Sequence, residues 1–422
     1  MRTENKFLTI LAVLSLTVSS FGACSFTTSS KPVESTPTPR IITATPTPKP
    51  TKTPTPTNTP KPTNTPKPTS TPTPEVKMDV SGLAEYYKDY FPIGVAASAS
   101  TISAVRYKQL ILDNFTQITP ENETKPDAIL SADASRNGLP GTYTHAAVNF
   151  DRCKNAVKFC VDNGMQMRLH TLVWHSQTPY WFFTEDYTRN GKLVSREVML
   201  QRMENYIKDV IEYFDTNYPG LIYAIDVCNE AFDSGNGDEN GIRKVDNQWY
   251  ETVGPDYYYQ AFVFARKYAP DYMKLFYNDY GCSGKYTQMI KHLAQAKEEG
   301  LIDGIGMQSH LSLSDRVSGS YYLAMKAFLE AGYELQVTEL DIGMDSLTDN
   351  NLALQARKYK VLFNNLLKLK DGGYNVSSVT LWGISDNLSW RSGKYPLLFD
   401  RSLNPKKAYY GALQDPSIPT IE

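Results

Sequence analysis

The chain has 422 residues, with 43 Lys and Arg against 45 Asp and Glu for a net charge of −2. The two signs are interspersed, which excludes an electrostatic patch for nucleic acid or for a membrane surface. The length admits two or three average domains, or one barrel of the largest common single-domain type.

The N-terminus places Arg2 and Lys6 ahead of the apolar run 7–18, followed by Ser19-Ser20-Phe21-Gly22-Ala23-Cys24. This run is too short to span a bilayer, so residues 1–24 read as a secretory signal. Gly22 and Ala23 directly before a Cys resemble a bacterial lipoprotein signal, which implies lipidation of Cys24. Phe21 replaces the aliphatic residue usual there, and ordinary cleavage near Ala23 is the alternative. Residues 25–74 are dominated by Thr, Pro and Lys and cannot form a core. In polyproline II geometry, at about 3.1 Å per residue, such a segment reaches on the order of 100 Å. It reads as a stalk holding a domain away from an anchor; a Pro-rich ligand for partner domains is less natural outside the cell.

From Glu75 to Glu422 the composition is globular, with no second linker. Short apolar runs at 93–97, 117–120, 166–174, 221–227, 273–278, 304–308, 335–339 and 378–382 predict strands. Helix-period segments at 150–162, 195–217, 257–268, 285–300, 320–331 and 350–370 fall between them. Eight strands separated by helices predict a (β/α)8 TIM barrel. A doubly wound open sheet is the alternative, but no Gly-x-Gly-x-x-Gly opens its first unit.

Four cysteines follow Cys24. Cys153 and Cys160 lie about 10 Å apart along a predicted helix, too far to bridge. Cys228 and Cys282 sit near the ends of neighbouring predicted strands, where a disulfide is possible and small buried thiols are favoured. No Cys-x-x-Cys or His-rich cluster suggests a metal. The loop 236–241 resembles a calcium loop but lacks the leading Asp and the Glu at position twelve.

Polar residues gather where the apolar runs stop. The run 221–227 suits a strand buried on both faces, yet it leads into Cys228-Asn229-Glu230. The run 335–339 ends in Glu339, with Asp341 just beyond. In a barrel the C-terminal strand ends carry the chemistry, and two carboxylates flanking one bond are the minimum equipment for glycoside hydrolysis. A lone Glu at a strand end could equally pair with a basic neighbour; two in equivalent positions are harder to explain so. Other ends supply Thr119-Pro120-Glu121-Asn122-Glu123-Thr124-Lys125, His170 to Gln177, Asn278-Asp279-Tyr280, Gln308-Ser309-His310, and Trp382 to Asp386 with Trp390-Arg391. Three of the five His, namely His170, His175 and His310, fall at such ends; His145 and His292 read as surface or structural. Aromatics form 12% of the chain, which suits core packing and also the C–H faces of sugar rings.

In order and spacing, the segments 119–125, 170–177, 226–233, 275–280, 306–310, 338–341 and 382–391 resemble the motifs of glycoside hydrolase family 10, the retaining endo-β-1,4-xylanases. The resemblance covers essentially all of 75–422. It implies a TIM barrel in which Glu230 is the general acid/base and Glu339 the nucleophile, with His310 bonded to Glu339 and Asp341 behind it. Asn229 would contact the 2-hydroxyl of the sugar being cleaved. Glu121, Asn122 and Lys125 would bind the next sugar towards the non-reducing end. His170, Trp174, Gln177, Trp382 and Trp390 would wall the reacting one, with Asn278 and Gln308 also in the substrate-binding set. Gln177 and Trp390 would crowd out the hydroxymethyl group that separates glucose from xylose. The chain departs from the family pattern at Pro126, where Trp is usual, at Gly281, where Asn is usual, and in the loop 131–149.

Together with the signal and the stalk, the resemblance implies a secreted, cell-surface enzyme without cofactor or metal. It would act on xylan and xylo-oligosaccharides as a monomer, with no nucleic-acid partner and membrane contact only through Cys24. A cellobiohydrolase or mixed xylan/cellulose hydrolase on the same fold is the alternative within enzymology. A surface polysaccharide-binding protein without catalysis is the alternative outside it.

Overall fold

The computed structural model describes residues 82–138 and 143–420. The signal, Cys24 and the Thr/Pro-rich segment lie outside these residues. Nine strands are described: β1 (Ile93–Ala97), β2 (Gln117–Pro120), β3 (Gln166–Trp174), β4 (Ile222–Asn229), β5 (Lys274–Asp279), β6 (Gly304–Met307), β7 (His310–Ser312), β8 (Glu334–Gly343) and β9 (Val376–Leu381). Pairing runs β1 to β6 in sequence, then from β6 to β8, β8 to β9 and β9 back to β1, all parallel. Eight strands thus close into a barrel, with helices in the connections, as the alternation of runs predicts. The short β7 lies outside the ring and pairs with the far end of β8.

That pairing explains one difference from expectation. The apolar pattern stops β8 at Glu339, but His310 opposite Asp341 and Ser312 opposite Gly343 carry it on to Gly343. Glu339 and Asp341 therefore sit on continuous strand rather than on a loop. Likewise β4 runs to Asn229, two residues past its apolar run. The first expected helix begins at Lys154, because residues 151–153 form a turn.

The helices form for local reasons and stay for tertiary ones. Ser195 caps Arg196–Asn217 by accepting from the Val198 amide. Met199, Met203, Tyr206, Val210 and Phe214 recur along its buried face at spacings of three and four. Burying each such side chain contributes about 1.5–3 kcal/mol, so this face holds the helix to the barrel.

Hydrogen bonds between strands that are not neighbours identify side chains pointing into the barrel. Ser378 on β9 donates to Gln117 on β2 at 2.7 Å. Higher up, Arg168 on β3 is fully buried, donates to Asp226 on β4 through Nε at 3.1 Å and also reaches Gln336 on β8. This closes the floor beneath the strand ends with a paired charge, the form in which buried ions are tolerated. All four described cysteines are free, buried thiols, so Cys228 and Cys282 are not bridged.

Candidate active site

Above the Arg168 floor, a cavity of about 360 Å³ opens at the C-terminal ends of the strands. Glu230 and Glu339 both line it, together with Asn229, Gln308 and His310. Glu121, Asn122, Lys125, His170, Trp174, Gln177, Trp382 and Trp390 complete the wall. One cleft therefore gathers all but two of the residues expected to be catalytic or substrate-binding.

Two are exceptions. Asp341 is wholly buried behind His310, where it was expected. Asn278 was expected among the substrate-binding residues and is not one by geometry, because it has no accessible surface. Its Nδ2 donates to Glu339 Oε1 at 2.8 Å and to Asn229 Oδ1 at 2.9 Å, while its own Oδ1 accepts from Thr338 at 2.6 Å. At Gly306 on β6 a Cβ would stand 2.4 Å from Asn278 Oδ1. The bare backbone there is what lets Asn278 reach from β5 to β8.

The two carboxylates live in different surroundings. Glu339 is buried and receives Asn278 on one oxygen and His310 Nε2, at 3.1 Å, on the other. Burial alone pushes this carboxyl up. The imidazoles of His170 and His310 and the Asn278 amide outweigh it and bring it down to about 2. Burial likewise lowers His310, but Asp341, 2.8 Å from its Nδ1, and Glu339 hold it at about 9. Asp341 is fixed in turn by Arg391 Nη1 at 2.5 Å and by the Trp390 indole at 3.2 Å. The result is a charged, oriented carboxylate with a cation locked beside it.

Glu230 is held by neutral donors. Trp174 Nε1 donates to Oε2 at 2.9 Å and Gln308 Nε2 to Oε1 at 2.8 Å. His175 Nδ1 lies 3.9 Å from Oε2, is buried without a hydrogen-bond partner, and burial next to Arg243 lowers this imidazole to about 4. Glu230 itself has φ 58°, a left-handed conformation that non-glycine residues adopt at some cost and that clusters at functional sites. Gln308 also reaches Asn229 Oδ1 at 3.3 Å. Three amides, Gln308, Asn229 and Asn278, therefore connect Glu230 to Glu339 without a break.

At the other end of the cavity Lys125 donates to Asn122 and Gln177, each at 2.9 Å, and lies 5.0 Å from the Trp174 ring centre. His170 Nδ1 is 3.0 Å from Asp226. Trp382 is nearly buried, whereas Trp390 is 61% exposed and touches His310 edge-on at 4.9 Å between ring centres. A second cavity of about 410 Å³ continues past Glu230 between Tyr280 and Tyr321. Glu339 lines the first cavity alone, and Glu230 lines both.

Pattern reading passed over Arg168 and Arg243. Arg168, a charge inside an apolar strand, could have been noticed from that alone. Arg243 gives no such sign in its loop; it donates to the Glu230 carbonyl at 3.1 Å and pairs with Asp233 at 2.7 Å. His145 pairs with Asp209 and His292 reaches the Asn240 carbonyl, both away from the cleft. In the loop once compared with a calcium site, Asp238 already accepts from the amides of Asn240 and Ile242. Among the described residues no group of three or more His, Cys, Asp or Glu could hold a metal ion. Nor is any described helix long and apolar enough to cross a membrane.

Known proteins are similar to this chain. Endo-1,4-β-xylanase B of Butyrivibrio fibrisolvens is 37% identical over 337 residues, covering 78% of this chain and 52% of that protein. Exoglucanase XynX of Acetivibrio thermocellus is 36% identical over 358 residues, covering 82% of this chain and 31% of that one. The chain thus spans about half or less of these relatives' length. A crystal structure of the N-terminal endo-1,4-β-D-xylanase modules of Clostridium thermocellum, complexed with xylohexaose, superposes with TM-score 0.72 at 36% identity, covering 81% of this chain and 68% of that one. The family model described as glycosyl hydrolase family 10 matches residues 82–415. The chain belongs to glycosyl hydrolase family 10.

Proposed function

We propose that this protein is an endo-β-1,4-xylanase that hydrolyses internal bonds of xylan and xylo-oligosaccharides by double displacement, with retention of anomeric configuration. The observation that carries the reading is the pair of unlike carboxylates in one cleft. Glu339 is held ionised by His310 and Asn278, as a nucleophile at an anomeric carbon requires. Glu230 sits among neutral donors and faces both cavities, as an acid serving the bond between two sugars requires. Glu230 gives its proton to the leaving oxygen while Glu339 forms the glycosyl-enzyme; Glu230 then takes a proton from the water that releases it. Asn229 has its carbonyl oxygen occupied by Gln308 and Asn278, which turns its NH2 group to the 2-hydroxyl of the reacting sugar.

Xylose is favoured over glucose because Gln177 is fixed by Lys125 and Trp390 overhangs the cleft. A hydroxymethyl group meets both. The names carried by the relatives, mostly endo-1,4-β-xylanases, support this substrate. The exoglucanase name of one keeps a glucan-cleaving activity as the second reading. Residues 1–24 then serve secretion, Cys24 lipid anchoring and 25–74 a stalk, leaving a monomeric catalytic domain at the cell surface. Labelling with a tritiated fatty acid, lost in Cys24→Ala, tests the anchor.

Proton NMR of residues 75–422 acting on linear xylo-oligosaccharides, read before mutarotation, tests the chemistry. Initial β-product supports retention. Initial α-product would remove Glu339 as nucleophile, and cleavage of cello- but not xylo-oligosaccharides would favour the second reading.

A further inference from the structure

Asp279 has no accessible surface and lines neither cavity, yet its carboxylate organises the turn that carries Glu230. One oxygen accepts the Tyr277 hydroxyl at 2.5 Å. The other accepts Lys285 Nζ at 2.7 Å and the Tyr280 amide at 2.8 Å. Both side-chain partners then reach the same residue, two positions beyond Glu230. The Tyr277 oxygen accepts the Phe232 amide at 3.1 Å, and Lys285 Nζ donates to the Phe232 carbonyl at 2.8 Å.

Burial pushes the Asp279 carboxyl up to about 6 against the pull of Lys285; once ionised it is an acceptor only, and the direction of each bond follows. Because the phenol proton goes to Asp279, the phenol oxygen is left to receive the Phe232 amide. Because Lys285 is drawn to Asp279, a second of its three donors lies at the Phe232 carbonyl. The Asp279 carbonyl also accepts the backbone amide of Gln308 at 3.0 Å, and the Gln308 side chain donates to Glu230 Oε1 at 2.8 Å. The backbone of Phe232, two residues past the left-handed Glu230, and the Gln308 donor to its carboxyl thus both return to one buried residue. Such over-determination is what allows an uncommon backbone conformation to persist. None of these groups bonds to Glu339.

We propose that Asp279, acting through Tyr277, Lys285 and Gln308, is a positioning residue for the acid/base Glu230. The proposal rests on the reading of Glu230 given above. It separates the two halves of the reaction: loosening the turn misplaces the proton donor and leaves the nucleophile in place.

The test compares kcat/KM for phenyl and 2,4-dinitrophenyl β-xylobiosides in wild type and Asp279→Asn. The phenyl substrate needs protonation at the leaving oxygen and the dinitrophenyl substrate does not. The expected result is a loss of about 100-fold on the phenyl substrate and less than about threefold on the dinitrophenyl one, within the range of general acid catalysis. Tyr277→Phe deletes only the hydroxyl and gives the same pattern if Asp279→Asn does not fold. Equal losses on both substrates, or no loss on either, would overturn the proposal. A wild type that cleaves neither substrate would instead overturn the functional reading on which it rests.

Discussion

Glu230 and Glu339 are the same side chain in two unlike settings, and the contrast shows how a barrel assigns two roles. Around Glu339 the fold places charge: His310 between two carboxylates, with Arg391 behind Asp341. Around Glu230 it places neutral donors and fixes the backbone instead. Under the proposed roles, charge selects the protonation state of Glu339, whereas geometry selects where Glu230 would deliver its proton. A site built of two charge-paired carboxylates would hold both ionised and lack the acid.

The comparison breaks most visibly if Glu339 is removed. Glu339→Ala is expected to abolish turnover of every substrate, with losses of at least about 10⁴-fold in kcat/KM that do not depend on the leaving group. Glu230→Ala should lose about 10²–10⁴-fold on xylo-oligosaccharides while largely sparing kcat/KM for dinitrophenyl xylobioside; equal losses on both would remove the acid role. Asn278→Ala strikes both sides, since it deletes a donor to Glu339 and one to Asn229. Hydrogen bonds to charged groups contribute about 1.5–3 kcal/mol, which converts to roughly tenfold to a hundredfold in kcat/KM on both aryl substrates.

His310→Asn sharpens the comparison through pH. His310 holds Glu339 down at about 2, so removing it lets burial raise that carboxyl. The acid limb of the pH profile of kcat/KM is then expected to move upward by about one to three units. Stability follows the same signs. The raised imidazole contributes fully below its ordinary value of about 6.5 and loses that contribution as pH rises through about 9. The lowered Glu339 contributes above its ordinary value of about 4.5 and loses that contribution as pH falls towards 2. Melting curves should therefore separate wild type from His310→Asn most at pH 5–6 and least above pH 10. Smallest is Gln177→Ala, expected to raise activity on cello-oligosaccharides about tenfold relative to xylo-oligosaccharides, the scale of one small group in a binding wall.

The barrel and most of the cleft were legible because the chemistry stands where apolar runs stop: Glu230 after β4, the His310 segment after β6, Trp382 after β9. What the chain order hid was depth. Asn278 follows an apolar run just as Asn229 does, but β6 and β8 close over it, and only the absence of a Cβ at Gly306 shows why. The reach of β8 past Glu339 depends on β7, a three-residue strand with no apolar signal of its own. Arg243 arrives from a loop thirteen residues beyond Glu230, so nothing local marks it as a partner of the turn.

The amide path between the carboxylates also has an electronic consequence. Asn229 Oδ1 accepts from both Asn278 and Gln308, and each bond draws density from the nitrogen of the same amide. Hydrogen bonds arranged in this way polarise one another, by roughly 10–30% per bond. The Asn229 N–H groups are thereby stronger donors than those of a free asparagine, which is what the proposed contact to a sugar hydroxyl would draw on.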